Sequence, residues 1–386
     1  MSCGKKTNLK NLLVKLQSAD AWDAPTGADN WRVNQGLVAQ TAPEVIARQI
    51  LKSSYTPEAD LVGIKVATVT GSSELYGADY TDGVTKPWID PLFQAGQLIP
   101  TIVEAIPVSA IASNFVYGET VSGATGVGRV VIPTKSTDTV IYVAVSVAGF
   151  TAESLTGSIA GSATATGAET DAGWSYKFDS TSCKRLSVQA EEDDLISKMY
   201  NTVPTFSIVS DAGGIPRVEY ELSGVIYNDG VEDQWMRDGS MTDLTGLRSE
   251  VIPPRFVDGR LKYGTYEPIV DSTLTLDPAI VKGLRTDANN VNGAEGYILT
   301  GRAPTNTYRI NTPTNVEADI IKDWFDATQV STEFRFGQEV GNTFWFFTPT
   351  AQLENVTPAD QEGEMKLELQ FKLTGQDDQE LEIVCI

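Results

Sequence analysis

The 386-residue chain contains no histidine. That absence excludes serine–histidine–aspartate and cysteine–histidine nucleophile systems, imidazole general bases and histidine-ligated metals. Any enzyme built on this sequence would have to run on carboxylates, lysine, tyrosine or a cofactor. Cysteine is nearly as scarce: Cys3, Cys183 and Cys385 are odd in number, far apart and form no CxxC pair. Neither a disulfide framework nor a zinc site is indicated, and free thiols are expected. Positive charge is also short, with 29 basic against 51 acidic residues and a formal net charge of −22. Binding to phosphate backbones needs clustered Lys and Arg, so this balance argues against a nucleic-acid-binding surface. Long hydrophobic runs are missing too. The opening MSCGKKTNLKNLLVKL holds only a three-residue apolar run, too short for a signal-peptide core, and no stretch approaches a ~20-residue membrane span. The chain reads as a soluble protein made in a cytoplasm, without a membrane partner.

What is present is ample material for a core. Apolar residues make up 41% of the chain, and the length favours two domains, or two plus an insertion. Short β-branched and aromatic runs dominate, among them 62–70, 139–147, 204–210 and 344–350, separated by Gly, Pro, Asn and Asp. The fold class is mainly β. Helical spacing is confined to 86–96 and 315–328, with 43–52 as a third candidate. In the second of these, Ile320, Ile321, Trp324 and Phe325 supply an apolar face, and Glu317 and Asp319 suit the first turn. In the first, Trp88, Leu92 and Phe93 repeat the spacing before Gly96.

Two strands alternate cleanly. In RVEYELSGV (217–225), Val218, Tyr220 and Leu222 oppose Arg217, Glu219, Glu221 and Ser223. In MKLELQFKL (365–373), Leu367, Leu369 and Phe371 oppose Lys366, Glu368, Gln370 and Lys372. Registering Glu221 on Glu368 superposes the apolar faces. The same order of strand, helix, turn and alternating strand precedes each, which predicts a duplicated β architecture with one flanking helix per domain. The first domain spans 1–235 with an insertion at about 105–172, rich in Gly, Ala, Ser and Thr. A linker at 236–254 leads to a second domain at 255–386.

Chemical motifs are weak. GATGVGRV (123–130) lacks the Lys-Ser/Thr and helix of a phosphate loop and reads as a turn. AEEDD (190–194) has no spaced ligand loop and reads as a solvated strand end, and TDANNVNGAEG (286–296) fails the EF-hand template and reads as a flexible loop. No carboxylate pair stands out for glycoside hydrolysis. The seven tryptophans suit core or interface anchoring better than a sugar platform. No catalytic, cofactor or metal residues are assigned. A surface adhesin or carbohydrate-binding sandwich is the alternative reading, and a carboxylate-dependent hydrolase a more distant one.

Together LLVKLQSADAWDAPTGADNWRV (12–33), KPWIDPLFQAGQL (86–98), VPTFSIVSDAGGIPRVEYELSGVIY (203–227), PPRFVDGRLKYGTYEPIVDSTLTLD (253–277) and the stretch from GYILTGRAPTNTYRI (296) onward resemble the tail tube proteins of long-tailed bacteriophages. The likeness is to the longer form with two tube domains, and it leaves out 105–172. The resemblance implies β sandwiches whose sheets join around a ring into a barrel, three copies making a pseudo-hexameric ring that stacks into a tube. It implies a structural virion protein of the tail, assembled in the host cytoplasm. Its partners would be itself and tape-measure, tail-terminator and tail-tip proteins, with DNA passing through unbound. Under it, Glu219, Glu221, Ser223, Lys366, Glu368, Gln370 and Lys372, with Lys65, Arg309 and Asn311, would face the lumen. Stacking would use 43–60, 278–303 and the N-terminal arm.

Overall fold

The computed structural model describes residues 10–33, 36–41, 43–46, 60–77, 85–244, 252–256, 260–268, 270–314, 319–337, 341–361 and 363–386. Strands account for most of it. Before the first helix come β1 (Lys10–Leu16), β2 (Asn30–Trp31), β3 (Val38–Thr41), β4 (Val45–Ile46), β5 (Leu61–Val62) and β6 (Val66–Glu74). Helix α1 (Asp90–Ala95) is followed by β7 (Leu98–Ser113), β8 (Thr120–Ser122), β9 (Val127–Val130), β10 (Val140–Val147), β11 (Ser154–Gly157), β12 (Ser162–Ala165) and β13 (Thr170–Phe178). Then come β14 (Leu186–Glu192), β15 (Leu195–Asp211), β16 (Arg217–Ile226) and β17 (Arg237–Asp238). The second half holds β18 (Arg260–Tyr263), β19 (Val270–Asp277), β20 (Ile280–Thr286), β21 (Ala294–Arg302) and β22 (Thr305–Asn311). Helix α2 (Ile320–Phe325) precedes β23 (Gln329–Phe336), β24 (Phe344–Gln361), β25 (Glu364–Thr374) and β26 (Glu382–Cys385).

Strand pairing repeats between the halves. The antiparallel pairs β1–β14, β14–β15, β15–β16, β16–β6 and β6–β3 have counterparts in β18–β23, β23–β24, β24–β25, β25–β22 and β22–β19. A hairpin interrupts each half at the same place: β4–β5 between β3 and β6, and β20–β21 between β19 and β22. The extra material of the first half runs from β7 to β13. Both repeats turn sharply before their alternating strand, at Gly213 (φ 76°) and Gly363 (φ 86°), where only glycine is unstrained.

The halves are joined edge to edge. Ile208, Val209, Ser210 and Asp211 of β15 pair with Leu276, Thr275, Leu274 and Thr273 of β19. The result is one sheet in the order β3-β6-β16-β15-β19-β22-β25-β24, and a single apolar core runs beneath it from Leu12 to Cys385.

Helix α1 is enclosed by this core. Leu92 and Phe93 are fully buried, Phe93 lying 5.0 Å from the Tyr176 ring and 5.6 Å from that of Phe206. It is shorter than the 86–96 spacing suggests, because Trp88 leaves the helical path to pack edge-on against Trp31 at 5.2 Å. Helix α2 differs more. Asp319 caps it, accepting from the Lys322 amide at 3.1 Å, and Ile320 is buried, but Ile321 and Phe325 are 42% and 75% exposed. Half of the expected apolar face therefore meets no sheet. The third helix candidate begins as a strand, since β4 pairs with β5; residues 47–52 lie outside the described residues.

Two loop readings are corrected. Glu191 of AEEDD is not solvated: it is fully buried and its carboxylate accepts from Asn11 Nδ2 (3.0 Å), Gln189 Nε2 (2.7 Å) and the Thr242 amide (2.9 Å) and hydroxyl. Thr242 belongs to the linker, so residues 236–244 are anchored on the first half, whereas Ile252 is held by the second, its carbonyl accepting from Asn342 Nδ2 at 2.5 Å. The 286–296 loop is an ordered turn, with Asn292 buried and its Nδ2 donating to the Ile226 carbonyl at 2.6 Å.

Residues 106–165 have a core of their own, including Ile106, Val121, Ile141, Phe150 and Leu155. Its loop at 159–161 is organised by Glu119, whose carboxylate takes the amides of Ile159, Ala160, Gly161 and Val116 at 2.8–2.9 Å. Burial opposes ionisation there, but these four donors hold the Glu119 carboxyl below its ordinary pKa. The subdomain is fastened to the body through Glu382 of β26, fully buried, which accepts two parallel bonds from Arg129 (2.6 Å each) and further ones from Tyr117 and Ser175. Tyr117 also packs on Phe347, ring centroids 3.6 Å apart.

Arg129→Ala is expected to destabilise the protein by about 3 kcal/mol, because it strands a buried carboxylate. The double variant Arg129→Met/Glu382→Gln should recover part of that loss in thermal unfolding. Glu119 supplies a pH test. A group whose carboxyl is held low in the fold stabilises fully above its unfolded pKa of about 4.3 and loses that contribution as pH falls through the folded value. The melting-temperature difference between wild type and Glu119→Gln should be constant from pH 7 to 5 and shrink below pH 4.

Candidate functional site

The candidate site is the polar face of the eight-stranded sheet. Alternation fixes it strand by strand, and register lines the strands up. One row reads Glu74, Arg217, Val209, Thr275, Thr307, Gln370, Asn355 across β6, β16, β15, β19, β22, β25 and β24. None of these side chains is buried. The adjacent row on the other face reads Ser73, Val218, Ile208, Leu276, Asn306, Phe371, Leu353 over the same strands, each at most 4% exposed. The junction between the halves interrupts neither row.

The alternating residues singled out above come together on the polar face. Glu219 stands between Ser72 and Ser207, and Glu221 between Thr70 and Thr205. Glu368 lies opposite Arg309 on one side and Thr357 on the other. Lys372 lies between Thr305 and Gln352, with Asp277 next to Thr305. Glu219, Glu368, Gln370 and Lys372 are exposed, and Arg309 and Asn311 half-exposed. In two register pairs an acid faces a base, Glu74 opposite Arg217 and Glu368 opposite Arg309, an arrangement that favours pairing.

Three of the expected residues sit differently in this chain. Ser223 is 2% exposed, because Lys282 of the β20–β21 hairpin reaches over the face and donates to its hydroxyl at 2.7 Å and to Glu221. That ion pair, with burial opposing, holds the Glu221 carboxyl below its ordinary pKa. Lys366 is 4% exposed, its ammonium donating to Asn311 Oδ1 and Glu364 Oε2 at 2.6 Å. Lys65 stands off the rows, paired with Asp233 at 2.6 Å.

Sequence reading missed the hydroxyl groups that fill the face, Thr68, Thr70, Ser72, Thr205, Ser207, Thr275, Thr305 and Thr307. Their signal was present as alternation in TVTGSSE (68–74) and STLTLD (272–277). It missed Lys282 because nothing local shows that a hairpin from the second half lies across strands of the first.

A cleft of about 590 Å³ lies between the subdomain and the second half. Arg260, Lys262, Arg335, Lys135, Tyr142 and Trp345 line it, with Asp138 beside them. Among the described residues no cluster of Cys, Asp and Glu is placed to hold a metal.

Lys282→Ala should cost about 0.5 kcal/mol, as expected of a partly exposed ion pair. It should also raise amide exchange across 280–302 more than in β24 or β25, measured by hydrogen-exchange mass spectrometry.

No family model matches this chain, and no curated protein matches it.

Proposed function

We propose that the chain is the structural subunit of a bacteriophage tail tube, and that the polar face lines a bore through which DNA passes from capsid to host. The observation that carries this reading is the edge-to-edge junction of the two repeats. In β15–β19, the last strand of one half-sheet bonds the first strand of the next, and the polar face continues across it. Among the described residues the same two edges stand open at the ends of the sheet. The outer edge of β3 is one, and the outer edge of β24 from Asn355 to Gln361 is the other. They are the counterparts of β19 and β15.

Unpaired edges are liabilities that a closed ring removes. By the repeat correspondence, Thr275 and Val209 in the internal junction answer to Gln40 and Gln361 in the outer ones. Joining β24 of one copy to β3 of the next therefore repeats a junction the chain already makes. Three copies supply the six repeats of a pseudo-hexameric ring, whose inner wall is the polar face. Rings stack along the tube, with tape-measure, terminator and tip proteins at its axis and ends.

The mechanism needs no catalysis. DNA is retained by clustered cations that displace its counterions. A wall of hydroxyls with interleaved acid and base gives it no such cluster, and at a Debye length of about 8 Å the wall charges act only on DNA close to them.

Electron microscopy with sedimentation should show rings or hollow tubes whose mass per ring equals three chains. Uniform monomers at every concentration, also with the tail-tip complex supplied, would sink the proposal. In assembled tubes, Glu219→Lys/Glu368→Lys should create DNA retention that falls steeply with salt, read by fluorescence anisotropy, where wild type shows none.

A further inference from the structure

The exposed end of α2 has a counterpart that is covered, and the covering element identifies its occupant. Both helices end in the same way: the residue after the C-cap has positive φ, Gln97 at 69° after α1 and Ala327 at 52° after α2. Aligned there, Ala95 of α1 corresponds to Phe325 of α2. Ala95 is fully buried, whereas Phe325 is 75% exposed with Ile321 beside it at 42%.

The base of the β20–β21 hairpin, from the following repeat, covers the end of α1. Ile280 is 7% exposed, and its Cδ1 lies 3.1 Å from where a side chain on Gly96 would begin. Its register partner Arg302 donates to Gln97 Oε1 at 3.2 Å and sits 4.3 Å over the Phe178 ring. The hairpin that holds this place in the first repeat is β4–β5. At its base Val45 pairs with Val62 as Ile280 pairs with Arg302. The described end of that hairpin is apolar and unburied: Ile46, Leu61 and Val62 are 48%, 54% and 59% exposed.

We infer that the end of α2, Ile321 and Phe325, is the seat for the base of the β4–β5 hairpin of an adjacent copy, with Val62 as the inserted group. This rests on the ring proposed above: carrying the β15–β19 junction over to β24 and β3 brings the next copy's hairpin onto α2, as the internal junction brings β20–β21 onto α1. The chemistry changes in step on both sides. Val62 stands where Arg302 stands, and Ala327 where Gln97 stands, so a polar contact inside the chain becomes an apolar one between chains. Apolar groups suit a contact that must form from separate subunits, since their removal from water drives association.

The test uses the full chain with Phe325→Asp and, separately, Val62→Asp, each checked for an unchanged melting temperature. Both side chains are exposed in the single copy, so folding should survive. Each variant should need about tenfold or more higher concentration than wild type to form rings. A Val62→Cys/Phe325→Cys variant in a Cys183→Ser background should crosslink between copies in assembled rings, giving covalent species up to the ring size. Wild-type rings together with unaffected Asp variants and no crosslink would overturn this contact and leave the ring standing. Failure of wild type to form rings at all would overturn the ring, and this contact with it.

Discussion

Four register pairs between β15 and β19 set the shape of the rest. A backbone edge left in mid-protein must bond something, and these pairs let two half-sheets use each other instead of water. Register is as important as bonding. With Val209 opposite Thr275 and Ile208 opposite Leu276, half-exposed residues meet on one face and fully buried ones on the other. A slip of one residue would turn Leu274 and Leu276 out to the solvated face and bring Thr275 into the core. The core beneath Ile208, Leu276 and Phe371 therefore selects the alignment that also makes the polar rows continuous.

The halves share a strand plan but are loaded unequally. In the first, β7 to β13 enclose α1, and Tyr176 of β13 packs directly on Phe93. The second has no such strands, so α2 is held mainly at its inner side, Trp324 donating to the Glu354 carbonyl of β24 at 3.1 Å and Asp323 accepting from the Tyr263 hydroxyl of β18 at 2.7 Å. The subdomain carried by the extra strands does not hang freely: the buried Glu382 carboxylate, on β26 between β13 and β24, draws Arg129 and Tyr117 to it. A buried charge with a full set of donors is a directional tether, since no other orientation of the subdomain satisfies it.

Much of this was legible in the residues. Val218, Tyr220, Leu222, Leu367, Leu369 and Phe371 are all at most 5% exposed, as alternation requires, because period two is a local property of the strand. The mainly β class followed from the same signal. What local pattern could not supply was the company each strand keeps. Ser223 reads as wet, yet Lys282, some sixty residues on, lies over it and bonds its hydroxyl. Lys366 reads as solvent-facing, but its own neighbours Glu364 and Asn311 fold it down. Ile321 and Phe325 read as core because helical spacing reports an apolar face and is silent about whether the chain itself provides the cover.

The distribution of charge separates the polar face from the protein as a whole. The formal charge is −22, but on this face several acids have a base beside them: Glu74 opposite Arg217 and Glu368 opposite Arg309 in register, and Glu221 bonded to Lys282 of the β20–β21 hairpin. A polyanion approaching the assembled protein would be repelled at long range by the excess acid, while close to the face the paired charges largely cancel. Hydroxyls between them offer hydrogen bonds that water satisfies equally well, so contact with them gains little free energy. Under the conduit reading this combination matters more than acidity alone: a uniformly acidic wall would raise a barrier to entry, a basic one would hold the cargo, and an interleaved polar wall does neither.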